Sequence, residues 1–144
     1  MRIEYNSIGI VHTPFKKLIN IPIQPSKAKG TKGFIEIYPK FQAGLKDLDG
    51  FSHIILLCHF HKNLEYYLSV VPSGESEVRG LFSTRSPNRP NPIGFSVVRL
   101  TNIVENRLFI SDLDILNGTP VLDIKPYFRE FKSDEIIRTG WLNK

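Results

Sequence analysis

Ser52-His53-Ile54-Ile55-Leu56-Leu57-Cys58-His59-Phe60-His61 is the stretch on which the fold turns. In an extended chain, successive side chains point to opposite faces. One face then carries Ile54, Leu56, Cys58 and Phe60 and is wholly apolar. The other carries His53, Ile55, Leu57, His59 and His61, apolar in the middle and imidazole-lined at its C-terminal end. Apolar residues on both faces mark a central strand. Cys58 is the single cysteine of the chain. It reads as a buried core residue and rules out an internal disulfide, which points to an intracellular setting.

Working outward, short stretches of alternating apolar and β-branched residues predict further strands over Ser7 to Thr13, Gly33 to Tyr38, Gly80 to Thr84, Phe95 to Val104, Arg107 to Leu113 and Val121 to Lys125. Glu105-Asn106 is a two-residue hairpin signal. Phe41 to Leu48 predicts a short helix or helical turn closed by Gly50, and Ser133 a cap for a C-terminal helix that Gly140 ends. Most aromatics alternate with aliphatics, which predicts them in the core. Six to eight short strands with little helix make an all-β fold, a sandwich or a barrel. A small closed or partly open β-barrel with short helical turns is preferred, because closure removes the sheet edges that a small all-β chain must otherwise protect.

The 144 residues, 41% hydrophobic and 23% charged, suit one globular domain over 1–144, without a second C-terminal domain. No apolar run approaches the roughly 20 residues of a membrane helix, and Met1-Arg2-Ile3-Glu4-Tyr5-Asn6 lacks a signal-peptide core. A cytoplasmic protein away from membranes is expected. The net charge of +5 suits an anionic partner such as RNA, and solubility alone explains it equally simply.

Phe82-Ser83-Thr84-Arg85-Ser86-Pro87-Asn88-Arg89-Pro90-Asn91-Pro92-Ile93-Gly94 is the most unusual segment. Its three prolines fix φ, remove backbone donors and push Ser86, Arg89 and Asn91 into extended conformations. A loop stiff before any ligand arrives avoids an ordering cost on binding. Arg85 and Arg89 each offer a planar donor fork for carboxylate or phosphate. A rigid turn whose arginines pair with surface acids is the plainer alternative; the density of hydrogen-bonding groups favours a binding loop.

In Asn117-Gly118-Thr119-Pro120-Val121-Leu122-Asp123-Ile124-Lys125-Pro126-Tyr127, a turn precedes a strand on which Asp123 and Lys125 share one face, with Leu122 and Ile124 turned to the core. The acid and base form either a surface ion pair or a pair that receives a ligand's amine and carboxylate. Ile21-Pro22-Ile23-Gln24-Pro25-Ser26-Lys27 is another proline-braced loop. His59 and His61 have a spacing that can chelate metal, yet no third ligand motif accompanies them, so no metal is expected. His53 and His12 read as structural, near strand ends.

These residues also carry a resemblance. Arg85-Ser86 followed by Arg89-Pro90-Asn91-Pro92-Ile93-Gly94 resembles the signature of the TsaA-like, or TrmO, family. Ile8-Gly9, Gln24-Pro25, Leu48-Asp49-Gly50-Phe51-Ser52-His53 and Gly118 to Tyr127 agree with it in order, so that the likeness runs from Ile8 to Phe128. The resemblance implies a small β-barrel that binds S-adenosylmethionine, works as a homodimer with the cofactor near the subunit junction, and methylates N6 of threonylcarbamoyladenosine beside the anticodon of tRNA. It implies a cofactor site at Gln24, Pro25, Ser26, Lys27, His61, Lys62, Arg85, Ser86, Leu100, Asp123, Ile124, Lys125 and Pro126. Longer bacterial members add a C-terminal domain thought to grip tRNA. Lys16, Lys17, Lys27, Lys32 and Lys62 are the basic residues expected to stand in for it.

For such a reaction Arg85 and Asp123 complement the cofactor's carboxylate and amine, and Arg89 and Asn91 are expected on the substrate. Leu100 and the Asp123–Pro126 edge would give the adenine its slot. Asp123, His61 and Tyr127 are the candidates for a base that takes the N6 proton. Two other readings compete: the same cofactor with another RNA or a small molecule as acceptor, and a non-enzymatic RNA-binding barrel. A Rossmann-type methyltransferase is disfavoured, since no glycine-rich fingerprint follows a strand and opens a helix.

Overall fold

The Ile54–Cys58 run becomes the middle of β3 (His53–His59), flanked by two partners along its whole length. The computed structural model describes residues 1–15, 30–130 and 134–142. The other strands are β1 (Gly9–His12), β2 (Lys32–Ile37), β4 (Ser69–Val70), β5 (Arg79–Gly80), β6 (Ile93–Val104), β7 (Arg107–Ser111) and β8 (Pro120–Pro126). Six of them close a barrel in the order β1-β2-β7-β6-β3-β8, with β1 pairing back onto β8. β4 and β5 form a separate two-stranded arm. No helix among the described residues is long and apolar enough to cross a membrane.

The barrel interior is filled by aliphatic side chains: Val11, Ile35, Ile37, Ile54, Leu56, Val98, Leu108, Ile110 and Val121, with Cys58 among them. No described aromatic residue is fully buried, which corrects the expectation of an aromatic core. Barrel width grows with strand number, and eight strands leave an interior just filled by side chains. Six leave less, so branched aliphatics fit and rings stand outside. His12, Phe34 and Phe109, for instance, neighbour one another on the outer face of β1, β2 and β7.

One irregularity sets the geometry of β8. Leu57 pairs with Asp123 while Cys58 pairs with Val121, so Leu122 is an extra residue at a β-bulge. Val121 and Ile124 therefore both reach the core, and Leu122, expected there, is only half-buried. Asp123 and Lys125 emerge together on the outer face, as the spacing predicts.

Other expectations change at the edges. Gly80–Thr84 is not a strand: β5 ends at Gly80, and Leu81–Ser83 forms a 3-10 turn with Leu81 buried as its anchor. β3 stops at His59, so His61 lies in a turn and does not share a strand face with His59. The helical turn near Phe41 is a pair of 3-10 segments, Pro39–Leu45 and Leu48–Gly50. Ser133 lies outside the described residues; residues 134–139 form no helix, and Gly140 (φ 57°) opens the 3-10 turn Gly140–Leu142 instead of ending one.

Candidate cofactor site

The proline-rich loop is held by its own second arginine. Arg89 Nη1 donates to the carbonyl oxygens of Thr84 (2.9 Å) and Ser86 (3.2 Å), with Leu81 O at 3.5 Å, and its guanidinium lies 5.7 Å over the Phe82 ring. A fork sharing its hydrogens among three carbonyls is engaged inside the loop. Arg89, expected on the substrate, is placed as a brace. Tight bonds from Arg89 N to Pro87 O (3.0 Å) and from Ile93 N to Asn91 O (2.7 Å) fold the backbone between the prolines. Asn91 is exposed.

The brace frames Arg85. Its neighbours Thr84 and Ser86 give their carbonyls to Arg89, while Arg85 itself is exposed and pairs with no acid among the described residues. The alternative of a turn whose arginines merely bind surface acids is thus unsupported for both. Thr84 Oγ1 donates to Leu81 O (2.7 Å) and accepts from Ser86 N (3.3 Å), so its hydroxyl caps the turn.

The end of β3 meets this loop. Phe60 N donates to Pro92 O (2.8 Å), Asn63 Nδ2 to Asn88 Oδ1 (2.7 Å), and the Phe60 ring lies directly over Gly94. Gly94 faces the interior opposite Cys58, and a Cβ there would lie 2.6 Å from Phe60 Cε1. The terminal glycine of Asn91-Pro92-Ile93-Gly94 is thus set by the Phe60 ring, which an added Cβ would displace, and not by backbone conformation. His61 and Lys62 follow in the turn after Phe60. Burial, then the charges of Lys62 and His59, hold the His61 imidazole below its ordinary 6.5. Its Nδ1 is buried with no hydrogen-bond partner among the described residues. A neutral ring with a free nitrogen can accept a proton.

Asp123 and Lys125 stand on the outer face beside Leu57 and Ile55. Lys125 Nζ lies 2.7 Å from Asp123 Oδ2, and Asp123 Oδ1 accepts from Ile124 N at 2.9 Å. Both side chains are about half exposed, 43% and 59%, so the pair contributes at most about 1 kcal/mol and is open to exchange partners with a ligand. Next to them runs an apolar strip: Leu57 and Val97 half-buried, Phe95 54% and Ile93 43% exposed.

Two expected site residues lie elsewhere in the subunit. Leu100 N bonds Ser52 O, at the opposite end of β3, seven residues along β6 from Ile93 and therefore roughly 20 Å from the Arg85 loop. There it is 9% exposed and borders an open groove of about 810 Å³ with the Pro39–Asp49 turns. Tyr127 bonds His53 O through its backbone N–H and packs its ring edge-on to His53, also at that far end. Gln24, Pro25, Ser26 and Lys27, like Lys16 and Lys17, lie outside the described residues; Lys32 and Lys62 are exposed. Trp141, which the sequence reading passed over, donates Nε1–H to Ser83 O at 2.9 Å, near the start of this loop. No group of three or more His, Cys, Asp or Glu fit to hold a metal occurs among the described residues. His53 Nδ1 bonds Ser52 Oγ (2.8 Å) and His12 stacks on Phe34 (4.5 Å), both structural placements.

The loop, the bracing arginine and the strand bearing Asp123 are thus parts of one barrel. A family model of the tRNA-methyltransferase O N-terminal domain matches residues 10–133. The chain belongs to the TrmO family. Within it, the chain is 53% identical over 144 residues to a probable S-adenosyl-L-methionine-binding protein of Pyrococcus abyssi, covering 100% of this chain and 78% of that one. It is 38% identical over 134 residues to a tRNA (adenine(37)-N6)-methyltransferase of Escherichia coli, covering 86% of this chain and 57% of that one. The crystal structure of TrmO from Pseudomonas aeruginosa superposes with a TM-score of 0.81 at 37% identity, over 100% of this chain and 64% of that one. The closed all-β barrel is thus the TrmO barrel, and S-adenosyl-L-methionine is the cofactor for which TrmO relatives are named.

Proposed function

We propose that this chain is an S-adenosylmethionine-dependent methyltransferase that acts in the cytoplasm on N6 of threonylcarbamoyladenosine at position 37 of tRNA. The observation that carries the reading is Arg85: a guanidinium held out from a loop whose flanking carbonyls are fixed, unpaired among the described residues. Asp123, half exposed across the strand from Leu57, supplies the opposite charge. Together they fit the carboxylate and ammonium of the cofactor's methionine end, with Ser86 and Lys62 beside the loop and Lys125 beside Asp123; Ile124 faces the core and Pro126 pairs with Ile54 toward the other end of β3. When bound, the cofactor supplies an electrophilic methyl on a sulfonium sulfur. The protein's task is alignment, which can be worth about 7–11 kcal/mol. His61 is the best placed of the three base candidates to take the N6 proton, being neutral at pH 7 and close to the loop. Asp123 is engaged with Lys125, and Tyr127 stands at the far end of β3.

The protein works as a homodimer on this reading. Leu100 lies roughly 20 Å of strand from Ile93, where the proline-rich loop ends, which favours a cofactor shared between two subunits, and the Leu57–Phe95–Ile93 strip offers an apolar surface for a second copy to cover. RNA as the acceptor is supported by the +5 charge and by aromatic rings that stand outside the barrel, where bases can stack. Mass analysis of tRNA nucleosides from cells lacking the protein tests the claim. Loss of the N6-methylated nucleoside, restored by the wild-type chain and not by Arg85→Ala, is the expected result. An unchanged profile would reassign the acceptor to another RNA or a small molecule.

A further inference from the structure

The segment after β8 returns to the base of the proline-rich loop. Trp141 sits in the 3-10 turn Gly140–Leu142, and its indole N–H donates to Ser83 O at 2.9 Å. The Arg79 guanidinium lies 5.1 Å from the centre of the same ring, and Arg79 Nη2 is paired with Glu77 at 2.8 Å. Arg79 leads through Gly80 into the turn Leu81–Ser83, so the indole touches both ends of the short stretch that precedes Arg85. On the other side, Arg89 holds the carbonyls of Thr84 and Ser86. Across residues 83–86, three of the four backbone carbonyls are thus fixed, one by Trp141 from the far end of the chain and two by Arg89 within the loop, and the Arg85 guanidinium is left over.

We propose that Trp141 is a positioning residue for Arg85: it fixes the turn from which the guanidinium is presented and so sets the affinity for S-adenosylmethionine. The inference rests on the reading of Arg85 as a cofactor ligand. A purely structural role fits poorly. Trp141 is outside the hydrophobic core, and its hydrogen bond is at the surface, where such bonds add little to global stability. Its contacts go to the segment that presents Arg85.

Trp141→Ala removes both the bond and the ring; Trp141→Phe keeps a ring beneath Arg79 and removes the bond. Equilibrium dialysis with labelled S-adenosylmethionine reads affinity, and hydrogen–deuterium exchange reads local order in the same samples. The expected result is about tenfold weaker binding in Trp141→Ala, equivalent to about 1.4 kcal/mol, with faster exchange confined to peptides covering residues 81–86 and barrel peptides unchanged. Trp141→Phe should fall between it and the wild type in both readouts. Unchanged affinity overturns the proposal. So does weaker binding without faster exchange, since Trp141 would then touch the cofactor directly. Faster exchange throughout the barrel also overturns it, by showing a general structural role. If the wild-type protein itself binds no S-adenosylmethionine, the reading of the cofactor site fails first.

Discussion

Replacing Gly94 by alanine tests how the end of β3 and the proline-rich loop are joined. The added methyl would lie 2.6 Å from Phe60 Cε1 and 2.9 Å from Cε2, and closest of all to Cζ. The Phe60 backbone is held in place by its bond from N to Pro92 O, two residues before Gly94, so the relief must come mainly from the ring. Either the ring rotates into a poorer rotamer or that bond lengthens. Overpacking of this kind costs about 1–3 kcal/mol, and a weakened backbone bond adds up to about 1 kcal/mol. At about 3 °C per kcal/mol for a chain of this size, the melting temperature should fall by about 3–12 °C. Thermal unfolding by circular dichroism measures the shift, and calorimetric titration with S-adenosylmethionine measures its passage to the loop through Asn63 and Asn88. Adding Phe60→Leu, which shortens the side chain that clashes, should recover part of the loss, the two substitutions coupling as contacting pairs do. A Gly94→Ala protein that melts with the wild type, or a double variant less stable than the sum of the singles, would refute the steric argument.

Asp114 is pushed above its ordinary 3.8 by burial, partly offset by its bond from Ser96 Oγ. A folded-state value above the unfolded one means that the carboxyl's contribution is fully present below pH 3.8 and is lost as pH rises through the folded value. Asp114→Asn should therefore be more stable than wild type at pH 7, the difference shrinking as pH falls toward 3.8; urea unfolding at both ends of the range checks this. Burial, with the Asp114 charge second, pushes the Cys58 thiol up to about 12. Iodoacetamide at pH 8 should leave the native protein unmodified and label it fully in urea, as mass spectrometry would read. His61, held below 6.5 by burial and by the charges of Lys62 and His59, should let S-adenosylmethionine-dependent methylation fall with acidity at a lower pH than an imidazole at its ordinary value would. A profile already falling between 8 and 7 would remove His61 as the base.

The sequence disclosed what repeats locally. The apolar run of β3 gave a central strand because its pattern is carried by consecutive residues, and the proline spacing gave a stiff loop for the same reason. The division of labour between the two arginines was not legible, because it depends on where the carbonyls of Leu81, Thr84 and Ser86 come to rest. Gly80–Thr84 alternates as a strand would, yet Leu81 alone is buried and Arg89 needs those carbonyls turned inward. The aromatic core was misjudged because alternation says which residues share a face and nothing about how wide the barrel is. Leu100 illustrates the same limit: a sequence places it near its neighbours on β6, while the roughly 20 Å of strand between it and Ile93, where the proline-rich loop ends, is a matter of strand length.

The extra residue in β8 has a wider meaning. An uninterrupted strand keeps one phase throughout, so a chain that sealed the barrel with Val121 would have turned the carboxylate of residue 123 toward hydrocarbon. Leu122 resets the phase between the half that zips against β1 and the half that bears charge. Closure and chemistry are thereby decoupled along seven residues, and either half is free to change its side chains without forcing the other to swap sides.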